Sequence, residues 1–262
     1  MYPFINIFAA KLPSYGLCML IGMALVVIMA TRKGKKYDVI FDQVIVVAAM
    51  GVLFALVCGT LLFYVVTYSL SDIINMISEG NFDFLKSPGI VFYGGLIGGI
   101  AGVLLSLKIT KLNIQTVENL FVPFVPLGHA IGRVGCALAG CCHGMEYDGP
   151  LAVYYPNSVT GLPPDVGYFP VQFLEAFLDV LIAAWLVYYC KKERRKFDVL
   201  FMYLFLYAIM RFITELFRGD AVRGVYFGIS TSQWISIAIV AVCILRIVFV
   251  KFVKKDRLQI DE

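Results

Sequence analysis

Seven apolar stretches, at about 14–31, 42–68, 90–107, 115–132, 170–190, 198–217 and 230–250, divide the chain. Each is close to the about 17–25 residues that a helix needs to cross the hydrocarbon core of a bilayer. A backbone in hydrocarbon must satisfy its own polar groups, so these stretches are predicted to be helices packed side by side. Composition agrees: only 15% of the 262 residues are charged and the mean hydropathy is +0.84. An ordinary soluble domain carries about 25% charged residues. The predicted fold is therefore all-α, a polytopic integral membrane protein with about seven transmembrane helices in one domain, 1–262. The start, Met1-Tyr2-Pro3-Phe4, lacks a basic leader, so the first stretch is read as a retained span.

Charge placement predicts the orientation. Arg32, Lys33, Lys35 and Lys36 follow span 1, Lys108 and Lys111 follow span 3, and Lys191, Lys192, Arg194, Arg195 and Lys196 follow span 5. Lys251, Lys254, Lys255 and Arg257 follow span 7, so 15 of the 22 basic residues fall in alternate connections. Basic residues concentrate in cytoplasmic loops, which puts the N-terminus outside and the C-terminus inside. The net charge of +4 is thus a matter of topology and implies no nucleic-acid partner. The outer side is predicted to carry Lys11, Lys86, Arg133, Arg211, Arg218 and Arg223. Four of these six are arginines in or beside apolar segments. A guanidinium in lipid is costly and seldom kept without a polar task. Its planar fork suits a phosphate better than an ammonium does.

Four constellations stand out. The stretch Gly132-Arg133-Val134-Gly135-Cys136-Ala137-Leu138-Ala139-Gly140-Cys141-Cys142-His143-Gly144 closes span 4. Tyr93-Gly94-Gly95-Leu96-Ile97-Gly98-Gly99, with Gly102, opens span 3; small residues at this spacing also let helices pack closely in lipid. Arg211, Glu215 and Arg218 lie at i, i+4 and i+7 on one helical face. Glu175 and Gln172 open span 5 after Pro170, with Glu175 facing inward. The connection at about 140–169 holds Pro150, Pro156, Pro163 and Pro164 with Tyr147, Tyr154, Tyr155 and Tyr168. Proline forbids long helices there and tyrosine favours the membrane interface, which predicts a small outer head of short strands or turns. The outer connection at about 69–89 is polar and slightly acidic. Span 7 has no central lysine for a Schiff base, which speaks against a retinal protein.

In order and spacing these blocks resemble the prolipoprotein diacylglyceryl transferase family of bacterial inner membranes. Ser14-Tyr15-Gly16-Leu17 with Gly22 is similar to the family's first-span motif. Tyr93-Gly94-Gly95-Leu96-Ile97-Gly98 matches its His-Gly-Gly-Leu-Ile-Gly except at the first position. Gly132-Arg133-Val134-Gly135 matches the opening of Gly-Arg-x-Gly-Asn, and Arg211 to Arg218 resembles Arg-Phe-x-x-Glu-x-x-Arg. The resemblance implies transfer of the diacylglyceryl group of phosphatidylglycerol to a prolipoprotein lipobox cysteine, at the outer face of a bacterial plasma membrane. Its partners would be that lipid, that peptide and the surrounding membrane lipid, with no cofactor.

On this reading the candidate catalytic residues are Tyr93, Arg133, Arg211 and His143. Tyr15, Gly94, Gly95, Gly132, Gly135, Gln172, Glu175, Glu215 and Arg218 are candidates for substrate binding, and no metal ligand is assigned among the site residues. The chain departs from the family pattern at Tyr93 for histidine, at Cys136 for asparagine and at Cys141 for an acidic residue. An arginine expected in span 2 is replaced near Val57. A phenol that titrates near 10 is a poor base at neutral pH, so proton transfer would fall elsewhere. Cys136, Cys141, Cys142 and His143 are open to three readings: packed thiols, a disulfide, or a metal site. Cys18, Cys58, Cys190 and Cys243 read as small apolar fillers, and His129 as a hydrogen-bonded helix residue. An alternative function is a divergent member acting on another acceptor, or a non-catalytic or redox-active protein reusing the lipid pocket.

Overall fold

The computed structural model describes residues 2–7, 10–69, 71–72, 78, 91–192, 194–219 and 225–260. Helices account for all seven apolar stretches: α1 (Ser14–Gly34), α2 (Phe41–Thr67), α3 (Phe92–Thr110), α4 (Ile114–Phe121), α5 (Val125–Ala139), α6 (Val171–Tyr189), α7 (Asp198–Glu215) and α8 (Thr231–Ile260). Two short antiparallel pairs complete the described structure, β1 (Phe4–Ile7) with β2 (Ala10–Pro13) and β3 (Val225–Tyr226) with β4 (Ile229–Ser230). The chain is an all-α polytopic membrane protein.

The seven-span expectation is met only in part. Among the described residues five helices, α1, α2, α3, α6 and α8, are long and apolar enough to cross a membrane, and α4 with α5 adds a sixth as a pair bent by 42°. The break at Val122–Phe124 contains Pro123 and is followed by Pro126 in the first turn of α5, where a missing amide hydrogen costs least. The remaining stretch, α7, spends its length on Asp198, Arg211 and Glu215. Most of the expected outer connection at 69–89 lies outside the described residues, as do Lys86 and Arg223.

Burial is inverted relative to a soluble protein. Leu245 and Phe249 of α8 are 67% and 69% exposed, whereas Gln172, Glu175 and Asp179 of α6 are wholly buried. Lipid accepts the first group, and only internal partners can accept the second.

Two compact units make up the chain, 30–117 and 1–29 with 118–262. In the first, α2 and α3 pack through glycines. A Cβ on Gly94 would lie 2.6 Å from the Cys58 carbonyl oxygen and 2.9 Å from Gly59 Cα. Gly98 and Gly102 press as closely on Phe54 and Met50, one turn apart each time. Gln43 ties the pair together, accepting from the Ile40 amide at 3.2 Å and donating to the Thr110 carbonyl at 2.9 Å, which satisfies an orphan group at each helix end.

In the other unit α6 packs on α5 and α7, and α7 on α8. Ile182, Leu186, Val199 and Met210 form a buried apolar centre between α6 and α7. Glu118 caps α7 from a distance, accepting from the amides of Phe197 at 2.7 Å and Leu200 at 2.9 Å. Ser230 and Gln233 cap α8 reciprocally, at 3.0 and 3.2 Å, the Ser-x-x-Gln pattern of a capping box. Gly128, Gly132 and Gly135 present one face of α5 to α1. A Cβ on Gly22 would fall 2.9 Å from the Gly128 carbonyl oxygen, and one on Gly135 would fall 2.9 Å from Cys18 Cβ.

Candidate active site

One buried carboxylate organises the polar interior of this unit. Glu175, on the second turn of α6, is fully buried, with Arg133 Nε at 2.8 Å from its Oε2. Arg211 Nη1 lies 2.7 Å from Oε1, and Thr214 donates its hydroxyl to the same oxygen at 3.1 Å. Arg218 Nη1 reaches within 3.6 Å of Oε1. Glu215 also pairs with Arg211 and lies 4.0 Å from Arg218. The i, i+4, i+7 face read from the sequence is therefore real, although Arg218 stands just beyond the last residue of α7. Three guanidinium charges face two carboxylates, which leaves one positive charge in a region of low dielectric. Such a surplus is retained at the cost of desolvation and favours an anion.

A second polar pair runs beside the first. His129 is one turn before Arg133 on α5, Asp179 is one turn after Glu175 on α6, and His129 Nδ1 lies 3.1 Å from Asp179 Oδ2. The His129 ring also sits 5.4 Å from that of Tyr207. Nδ1 makes no hydrogen bond there, so the expected hydrogen-bonded helix histidine is seen here only as a close polar contact with Asp179. Asp179 was not among the expected residues, yet its spacing of four from Glu175 was available as a signal.

The connection at 140–169, expected to form an outer head, consists of turns and isolated bridges, Gly144 with Arg218, Glu146 with Tyr168 and Val153 with Tyr168. Tyr155 and Tyr168 are buried, their rings 5.8 Å apart, instead of standing at the surface as interfacial tyrosines would. Burial pushes the Tyr155 hydroxyl up to about 12, although it donates to Gln172 Oε1 at 3.2 Å. Gln172 in turn donates to the Cys141 carbonyl at 3.0 Å, so both ends of its amide are engaged within the protein. His143 points its Nδ1 at the Gly144 carbonyl, 2.9 Å away, which leaves Nε2 as the acceptor, and its ring meets Tyr168 edge-on at 4.9 Å.

The cysteine turn joins head to helix. All seven cysteines are thiols rather than disulfides. The sulfurs of Cys136, Cys141 and Cys142 lie within 4.8 Å of one another. Hydrogen bonds from the Cys136 and Cys141 thiols, and the guanidinium of Arg218, hold the Cys142 thiol below the ordinary range. Gly132 and Gly135 are taken up by packing on Met19, Tyr15 and Cys18, and Tyr15 itself is 44% exposed. Gly94 and Gly95 belong to α3 in the other unit, where Gly94 meets the α2 backbone. Tyr93, at the start of the same helix, is 49% exposed.

The arginine–glutamate cluster, the glycine-lined helices and the cysteine turn lie on blocks that run the length of one known family. The model of the prolipoprotein diacylglyceryl transferase family matches residues 3–249. The chain belongs to that family. A phosphatidylglycerol–prolipoprotein diacylglyceryl transferase of Clostridium tetani is 33% identical over 234 residues, covering 88% of this chain and 90% of its own length. A transferase of the same name, numbered 2, from Clostridium perfringens is 32% identical with 89% of each chain covered. One from Bordetella parapertussis is 33% identical with 86% of each covered.

Proposed function

We propose that this chain transfers the diacylglyceryl group of phosphatidylglycerol to the lipobox cysteine thiol of prolipoproteins. The observation that carries this reading is the convergence of Arg133, Arg211 and Arg218 on Glu175, inside a family whose named relatives are such transferases. The reaction would take place at the outer face of a bacterial plasma membrane, with the N-terminus outside and the C-terminus in the cytoplasm. The basic residues of alternate connections support that orientation.

In the step itself a carbon–sulfur bond forms at the glycerol carbon that carried the phosphate, and its carbon–oxygen bond breaks. Glycerol phosphate leaves, and the thiol proton passes to the leaving group or to solvent. Arg133 and Arg211 hold the lipid phosphate as a pair and stabilise the charge that grows on it. Glu175 and Glu215 fix the forks of those arginines, so less motion is needed at the moment of reaction. Arg218 adds to the positive field that favours thiolate over thiol. His143 Nε2 is the alternative proton acceptor, and the part of the Tyr93 hydroxyl is left to the substitution test. Tyr15, Gly132, Gly135 and Gln172 brace the helices around the arginines, while Gly94 and Gly95 keep their role within the other unit.

Purified chain incubated with phosphatidylglycerol and a lipobox peptide should yield a thioether-linked diacylglyceryl peptide and one equivalent of glycerol phosphate. A second reading, transfer to a different acceptor, is favoured by Cys136 and Cys141 standing where the family pattern carries asparagine and an acid. Glycerol phosphate released only with another acceptor would select that reading, and no release with any acceptor would sink both.

A further inference from the structure

The end of α5 closes in a pattern that forces two cysteines together. Gly140 takes the left-handed conformation at φ 71°, its amide donates to the Ala137 carbonyl at 3.2 Å, and the Cys141 amide donates to the Cys136 carbonyl at 3.1 Å. This closure sets the third residue from the helix end beside the second residue past it, where an apolar contact is usual. Here both positions are cysteine. Cys142 then adopts φ 55°, a conformation rarely taken by a residue with a side chain, and one that clusters at functional sites. Its sulfur joins the other two, all within 4.8 Å.

We propose that Cys136, Cys141 and Cys142 form a three-sulfur site for a soft monovalent ion, Cu(I), built from residues to which the transfer reaction assigns no role. Among the described residues no histidine or carboxylate joins the group of ligand atoms. His143, the nearest in sequence, turns its Nδ1 to the Gly144 carbonyl. Zinc takes four ligands and prefers a tetrahedron, whereas thiolates alone select soft ions. A metal–sulfur length of about 2.3 Å puts three sulfurs of a flat triangle about 4.0 Å apart, so each sulfur moves by less than about 1 Å. A disulfide would draw two sulfurs to about 2.05 Å and leave the third outside.

Charge agrees with geometry. Binding displaces a proton from each thiol, so three thiolates and one Cu(I) carry a net charge of −2. That anionic cluster would sit beside Arg218, which hydrogen bonds to Cys142, and within the field of Arg133. The site therefore discriminates by sulfur count.

The test is anaerobic titration of the full chain, purified in detergent and fully reduced, with Cu(I) held by a chromophoric chelator. One Cu(I) per chain is expected, with three sulfurs at about 2.3 Å by X-ray absorption. Cys136→Ser, Cys141→Ser and Cys142→Ser should each weaken binding by more than about 100-fold, the upper figure for losing a mere supporting contact. A variant with Cys18, Cys58, Cys190 and Cys243 all replaced by alanine should keep the single ion. Because Cys136 is buried, its variant could fail to fold. The Cys141 and Cys142 variants, and protection of three of the seven thiols from alkylation by bound Cu(I), then carry the test. No capture against the chelator, capture unchanged in the serine variants, or a four-ligand zinc ion held more tightly would each overturn the assignment.

Discussion

Arg133 on α5 and Glu175 on α6 are held 2.8 Å apart with the carboxylate wholly shielded from solvent. One turn along the same two helices His129 meets Asp179 at 3.1 Å. The two contacts are rungs of one ladder, because four residues return a helix to nearly the same face. The rung at Glu175 also collects Arg211 and Arg218, so it is the point where three elements are registered.

Glu175→Gln should therefore be worse than the loss of any single arginine. It leaves three guanidinium groups with one carboxylate among them. Removing one partner of a buried pair costs about 3–5 kcal/mol. A thermal melt in detergent should show a clear fall in midpoint, and transfer should be lost. An unchanged midpoint would remove Glu175 from its organising position.

Arg133→Ala and Arg211→Ala should each lower transfer by about 10²–10³-fold, the scale for losing one preorganised donor to a developing oxyanion. Lysine should restore only part, since it supplies a point charge without the fork. The assay is transfer to a lipobox peptide, with insertion checked separately. If both alanine variants keep most of the activity, these arginines are structural and the phosphate binds elsewhere.

Tyr93→Phe is expected to cripple transfer if the hydroxyl touches the reacting lipid, and Tyr93→His to retain or raise it. His143→Ala should be silent if the arginines alone favour the thiolate, and severe if His143 is the base. Full activity in Tyr93→Phe would reduce Tyr93 to packing beside Gly94 and Gly95.

The His129–Asp179 rung makes a separate claim on stability. A double-mutant cycle of His129→Ala and Asp179→Asn should give a coupling energy of about 0.5–3 kcal/mol in unfolding, as for residues in one network. Additive effects would mean that the two side chains act independently in spite of their 3.1 Å contact.

A reporter active only in the cytoplasm, fused after Glu262, should work, and one placed before Met1 should not. The reverse pattern would invert the orientation and place the arginine cluster on the inner side.

Helix positions were legible because apolar length is a strong signal, and the seven stretches are all helical. The span count was less so, since Pro123 bends one stretch and Asp198, Arg211 and Glu215 dilute another. Arg133, Arg211, Glu175 and Glu215 could be picked out because charge in an apolar run demands a partner. Which carboxylate each arginine would choose could not be read, as it depends on how α5, α6 and α7 pack. The same limit hid Glu118, whose partners lie 79 and 82 residues away, and Arg246, which reaches Asp198 at 2.7 Å. The burial of Tyr155 and Tyr168 was also invisible, because tyrosine reads alike at an interface and inside a small loop core.

The head is fastened by main chain. The Met145 amide donates to the Phe217 carbonyl at 2.9 Å, and the Gly219 amide donates to the His143 carbonyl at 3.2 Å. Amides and carbonyls are common to nearly every residue, so most side-chain replacements at 143 and 145 leave this seam closed. Gly144 and Gly219 are different, because a Cβ would fall 2.3 Å from the Phe169 carbonyl oxygen in the first case and 2.4 Å from the Gly144 carbonyl oxygen in the second. Proline at 145 would also open it, because it brings no amide hydrogen. The side chains of His143 and Met145 are thus released from the task of attachment, and what they do beside Arg218 is set by chemistry alone.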